Sequence, residues 1–230
     1  MPVMHGVPAG SSNRDTTMTK VLAINGSPRK DGNTAILIHT ILDELEKEGI
    51  ETETIQIGGK KIHGCIACMK CFEHQDGKCV IVDDIINTCI HKMREADGII
   101  LGSPVYFLDV TAEMKALIDR AGFVSYANGH PFRNKVANVT VAVRRSGASR
   151  TADTMLHFLL ANEMIVAGLP VLGIGRDIGD VTKDDEGMDR AKHLGETMAQ
   201  LLRHFGRHPL PAAKPKKADV RMIKKTKQEH

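Results

Sequence analysis

Residues 20–34 read Lys-Val-Leu-Ala-Ile-Asn-Gly-Ser-Pro-Arg-Lys-Asp-Gly-Asn-Thr. The first six form a short apolar run of the kind buried as a strand. A turn rich in Gly, Ser and Pro follows, and a helical pattern begins directly after it. Leu37, Ile41 and Leu45 recur every four residues with Ile38 and Leu42 beside them, which is one helical face. Gly49 ends that helix. A buried strand, an elaborate loop and a helix, in that order, open an α/β unit.

The same unit repeats along the chain. Residues 51–57 alternate polar and apolar and predict a half-exposed second strand. A long loop, 58–83, follows, and Asp83 or Asp84 caps a helix over 85–96. Residues 98–101 are a third buried strand, 111–122 a helix with Met114, Leu117 and Ile118 inward, and 135–143 a fourth strand. Residues 150–164 are helical. Residues 165–174, broken by Gly168 and Pro170, hold a short fifth strand, and 184–205 form a last helix lined by Ala191, Leu194, Met198 and Leu201. Strict alternation predicts one parallel sheet with helices on both faces, a three-layer αβα sandwich. Right-handed crossovers narrow the topology, and five strands suit the order 2-1-3-4-5.

Length and composition agree with one domain and two tails: an arm over 1–19, the domain over 20–205 and a tail over 206–230. Trp is absent and aromatics are 3%, so the core must be aliphatic. The formal net charge is +3, but residues 206–230 alone carry +6, which leaves −3 for the rest. The tail pairs Lys216-Lys217 and Lys224-Lys225 have no interleaved aromatics, so nucleic acid is not the expected partner. No apolar run is long enough to span a bilayer and the first twenty residues have no apolar core, so a reduced cytoplasm is expected.

Four stretches are too elaborate for simple connectors: 26–34, 58–83, 102–110 and 144–150. Each follows a strand and precedes a helix, so all four are expected on the carboxyl edge of the sheet, where such sheets bind ligands. The first suits a phosphate. Ser27, Asn33 and Thr34 offer short polar side chains, Arg29 and Lys30 add charge, and the opening helix favours an anion. Neither G-x-x-x-x-G-K-[ST] nor G-x-G-x-x-G is present, so a single terminal phosphate is expected over a pyrophosphate. The third, Ser103-Pro104-Val105-Tyr106-Phe107, suits a flat ring, and the fourth brings Arg144 and Arg145 to the same edge.

The second stretch carries Cys65, Cys68, Cys71 and Cys79 in the spacing C-x2-C-x2-C-x7-C. Four soft ligands on one loop suit zinc or an iron–sulfur cluster. The tight run of three favours the cluster, because zinc ligands usually come as two separated pairs. His63 and His74 read as solvated loop residues, and Cys89 as a small buried apolar residue.

Taken together, residues 26–34 resemble the FMN-phosphate loop of the NADPH-dependent FMN reductase branch of the flavodoxin-like superfamily. Residues 103–107 resemble its second flavin loop, and the cysteine run resembles that of the iron–sulfur flavoproteins within the branch. The resemblance covers about residues 20–200. It implies a flavodoxin-like fold, FMN and a [4Fe–4S] cluster in a homodimer or homotetramer, and transfer of electrons. Ser27, Arg29, Asn33 and Thr34 would bind the phosphate, and Pro104, Val105, Tyr106 and Phe107 the isoalloxazine, with Arg145 and Gly147 nearby. Cys65, Cys68, Cys71 and Cys79 would ligate iron. The external partner would be NAD(P)H or a ferredoxin-like protein. Two other functions stand beside this one: an NAD(P)H-dependent FMN or quinone reductase without a cluster, and a zinc-stabilised binding module.

Overall fold

The computed structural model describes residues 19–207; the N-terminal arm and nearly all of the basic tail lie outside the described residues. The elements run β1 (Lys20–Asn25), α1 (Asn33–Lys47), β2 (Glu51–Gln56), α2 (Lys70–His74), α3 (Ile86–Glu95), β3 (Gly98–Pro104), α4 (Ala112–Ala127), β4 (Val136–Val143), α5 (Ala148–Ala161), β5 (Ile165–Val166), β6 (Val171–Ile174) and α6 (Asp185–Arg207). All strand pairs are parallel, in the order β2-β1-β3-β4-β5, with β6 also on β4. This is the expected flavodoxin-like αβα sandwich.

The sequence explains the layering. All eight residues of β4 are buried, so it is central and covered on both faces, as a parallel sheet requires. One face packs Leu37, Ile38, Ile41 and Leu45 of α1 against Ala191, Leu194 and Met198 of α6. The other packs Ile90 and Met93 of α3, Leu117 and Val124 of α4, and Met155 and Leu159 of α5. The expected fifth strand is two pieces at one sheet position, interrupted after Val166. The buried Asn138 of β4 holds the interruption by donating its amide to the carbonyls of Ala167 at 2.7 Å and Leu169 at 3.3 Å. Helix α4 continues past Gly122 to Ala127, beyond its expected end, because Val124 and Ala127 are core residues. The short α2 inside the cysteine loop has no helical period to announce it. Among the described residues, no helix is long and apolar enough to cross a membrane.

Three strand ends are tied together at the carboxyl edge. Gly26 N–H donates to the Gly102 carbonyl at 2.7 Å, and Thr111 Oγ1 donates to the Gly26 carbonyl at 2.9 Å. Gly58 leaves β2 so close to this junction that a Cβ there would lie 2.2 Å from the Ser27 carbonyl carbon. Only glycine lets the second loop pass the first at this distance.

Candidate functional site

The loop from Gly26 to Gly32 forms a cradle at the start of α1. Ser27 is buried, its N–H bonded to Asn25 Oδ1 at 2.9 Å and its Oγ accepting from Arg29 N–H at 3.2 Å. No side chain caps α1, so its first N–H groups face the cradle. Thr34 Oγ1, in that first turn, is buried with no hydrogen-bond partner among the described residues. A buried hydroxyl without a partner is costly, and a phosphate oxygen would satisfy it. Arg29 is exposed beside it. Asn33 is placed differently from the sequence expectation. Its amide donates to the Asp177 carbonyl at 3.0 Å and accepts from Gly179 N–H at 2.9 Å, so it clasps the loop before α6 to the cradle.

The aromatic loop is a tight hairpin. Tyr106 and Asp109 exchange both backbone hydrogen bonds, at 2.8 and 3.2 Å. The two residues between them, Phe107 and Leu108, have φ of 45° and 73°. A two-residue turn with both φ positive ordinarily carries Asn-Gly. Here two bulky side chains occupy it, and Phe107 is fully exposed at 101%. Pro104 and Val105 are half-buried behind the tip. The tip is held from α5: Asp109 accepts from Thr154 Oγ1 at 2.7 Å and Arg150 Nε at 3.2 Å. Gly147 supports it from behind, since a Cβ there would lie 2.8 Å from Val105 Cγ1 and 2.9 Å from Leu108 Cα. Arg145 is not drawn into this group. It lines a groove between α5 and α6 with Ala148, Leu156 and Leu172.

Strain held at a loop tip is the mark of a segment shaped for a ligand, and each left-handed bulky residue costs about 1–3 kcal/mol. The double change Phe107→Asn with Leu108→Gly is therefore expected to stabilise the FMN-free protein by about 2 kcal/mol. It is also expected to weaken flavin binding. Denaturant unfolding and flavin fluorescence titration check the two halves; a variant no more stable than the parent would mean that the tip is unstrained.

The cysteine loop departs from the expected crowding at the edge. It starts there, with Gly59 N–H donating to Glu113 Oε1 in the first turn of α4 at 3.0 Å. It then runs down the outside of α4, and Gly77 N–H reaches Asn128 Oδ1 at the far end at 2.8 Å. The cysteines therefore pack beside the middle of α4, about 12 Å of helix below its start. All four line one pocket with Ile66, Phe123, Val124 and Arg120. Phe72 of α2 meets Phe123 edge-on at 6.3 Å and fixes the strap to the helix. Ala67 and Met69, with φ of 53° and 57°, bend the chain sharply on either side of Cys68. Cys65 and Cys68 are exposed, Cys71 and Cys79 half-buried. Burial pushes the Cys71 thiol up to about 11. Cys89 is buried in the core with its thiol pushed up to about 12, again by burial, as suits an inert residue.

Sequence reasoning missed the groups that organise this pocket. Arg120 is 1% exposed and donates to the carbonyls of His63 at 3.0 Å and Ile81 at 2.9 Å, to Asp84 Oδ2, and from Nε to Cys79 Sγ at 3.3 Å. Burial raises the Asp84 carboxyl, but Arg120 and the N–H groups of His63 and Ile86 outweigh it and hold it below the usual range. Asn87 holds the Cys79 backbone, accepting its N–H at 2.8 Å and donating to its carbonyl at 2.9 Å. A signal for Arg120 existed. It lies three residues after Leu117 and four before Val124, inside the apolar stripe of α4, where a cation requires partners.

Comparison with known proteins identifies the family. Residues 19–178 match the NADPH-dependent FMN reductase family. An iron–sulfur flavoprotein of Methanocaldococcus jannaschii is 42% identical over 193 residues, covering 80% of this chain and 97% of the relative. Another, of Archaeoglobus fulgidus, is 36% identical over 184 residues, covering 80% of each. Among solved structures, RosB with bound 8-demethyl-8-formylriboflavin-5'-phosphate superposes with a TM-score of 0.65 at 20% identity, over 92% of this chain and 87% of that one. An NAD(P)H:quinone oxidoreductase from Methanothermobacter marburgensis does so with a TM-score of 0.60 at 16% identity, over 79% and 96%. At those identities the structures speak for the fold alone. The sequence matches go further: the chain belongs to the NADPH-dependent FMN reductase family, in its iron–sulfur flavoprotein branch, and is an FMN-dependent oxidoreductase.

Proposed function

We propose that the protein passes electrons between FMN, bound at the carboxyl edge of the sheet, and a [4Fe–4S] cluster held by Cys65, Cys68, Cys71 and Cys79, with NAD(P)H or a ferredoxin-like protein as external partner. The observation that carries this reading is the single pocket lined by all four cysteines, with a buried guanidinium bonded to one sulfur. The donor set fits the group. Four thiolates suit iron and sulfide, and a buried cation offsets part of their charge. The names of the relatives point the same way.

When bound, the two cofactors supply the electron chemistry, and the chain binds and orients them. Ser27, Thr34, Arg29 and the opening of α1 hold the phosphate. The segment from Pro104 to Phe107 meets the ring. The strap on α4 holds the cluster, and exposed Ile66, Phe123 and Tyr126 beside it form an apolar face. A second copy of the chain covers such a face in a homodimer or homotetramer, and light scattering showing only monomer would remove that part of the proposal.

A second reading rests on the exposure of Cys65 and Cys68: the strap is a structural cover, and the protein reduces flavin or quinone with NAD(P)H alone. Absorption spectra of anaerobically and aerobically prepared protein, with iron, sulfide and zinc analysis, separate the two. Flavin bands over a broad absorption that dithionite bleaches support the cluster. Flavin bands without iron, even anaerobically, leave the second reading.

A further inference from the structure

The four cysteines are not equivalent. Cys65 and Cys68 lie exposed on a sharply bent segment. Cys79 is fixed at three points: its N–H and its carbonyl by Asn87, and its sulfur by Arg120. Arg120 is itself fixed. Its guanidinium reaches Asp84 and the carbonyls of His63 and Ile81, which bracket the strap before and after the cysteines. It carries a full positive charge almost wholly out of water, on a rigid helix, with Nε–H pointed at a sulfur. We infer that Arg120 is a positioning residue for the cluster: it presets Cys79 as the anchor ligand and raises the reduction potential through its Nε–H···S bond and its buried charge.

The sign follows from charge. Reduction adds one electron to an already anionic centre with no proton taken up. A hydrogen bond to a ligating sulfur and a nearby cation both stabilise the more negative state. Removing them disfavours reduction and lowers the potential. Screening is weak because the guanidinium is buried. Asp84 opposes part of this charge, so the effect is that of an oriented pair whose positive end faces the sulfur. Lysine at this position would keep the charge and lose the fork that holds the two carbonyls and the sulfur together.

This inference rests on the proposed cluster, so iron and sulfide are first measured on the wild-type holoprotein prepared anaerobically. A protein without iron removes the cluster reading itself, whatever Arg120 does. With the cluster present, the test is a mediated reductive titration followed by absorption and electron paramagnetic resonance. Arg120→Gln is expected to keep its flavin and lower the cluster's potential so that reduction is at least tenfold less favourable, which is 59 mV for one electron. Arg120→Lys is expected to fall between the two. If Arg120→Gln unfolds because Asp84 is left unpaired, the double variant Arg120→Gln with Asp84→Asn removes both charges and gives the same reading. A readout on unaltered protein stands beside these: with 15N-labelled arginine, the reduced cluster is expected to show a nitrogen hyperfine coupling. An unchanged potential in a folded variant, or no such coupling in the wild type, overturns the inference and leaves Arg120 as a structural brace.

Discussion

Replacing Cys71 with serine is expected to remove the proposed cluster and leave FMN bound. Serine oxygen is a hard donor and a poor substitute for thiolate on iron. Iron and sulfide should fall from about four per chain towards zero, while flavin stays near one per chain. The separation follows from the course of the strap. Cys71 sits on α2, whose contacts are with α4, whereas the phosphate cradle belongs to β1 and α1. The fold should survive, because Cys71 lies outside the fully buried core and serine is nearly its size. The strap keeps its other fastenings at Arg120, Asn87 and Asn128. Iron, sulfide and flavin analysis of anaerobic protein checks the result. Loss of both cofactors from a folded variant would sink the two-site arrangement, and full retention of iron would show that Cys71 is no ligand.

How much of this was legible in the sequence differs between the fold and the site. The sheet could be read because β1, β3 and β4 are short, mainly apolar runs that are buried and α1 has a clean helical period, so local pattern and tertiary burial coincide. The strand-to-helix position of the loops followed from topology alone. What was not legible depends on contacts distant in sequence. Asn33 looked like a phosphate ligand because of its place in the loop, yet its partners lie 144 and 146 residues away. The path of the cysteine strap is set by Arg120, 41 residues beyond Cys79. The spacing of four cysteines groups them on one loop, but does not say which helix that loop rests on. The strain at Phe107 and Leu108 was hidden for another reason: apolar residues carry no turn signal, and only the surrounding anchors at Asp109 and Gly147 impose it.

The converse substitution, Arg29→Ala with Thr34→Val, is expected to weaken FMN binding by roughly a hundredfold or more and leave iron content unchanged. Two interactions with a charged phosphate are removed, each worth about 1.5–3 kcal/mol, and 1.4 kcal/mol is a factor of ten in affinity. The two changes act differently on the flavin-free protein, which gives the prediction a second sign. Arg29 is exposed, so its loss alters stability little. Thr34 Oγ1 is buried without a partner, and valine replaces that hydroxyl with a methyl of the same shape. Without flavin, Thr34→Val should therefore be at least as stable as the parent, by up to about 1 kcal/mol, or about 2–4 °C in Tm for a chain of this size. With flavin the order should reverse, because the parent gains more from its ligand. Melting curves of both proteins, with and without saturating FMN, test the crossing. If Thr34→Val is destabilised equally in both states, the hydroxyl has a structural partner and the cradle is not built for a phosphate at Thr34. If iron is lost together with flavin from folded protein, the strap and the cradle form one site, joined through Gly58 where the two loops touch.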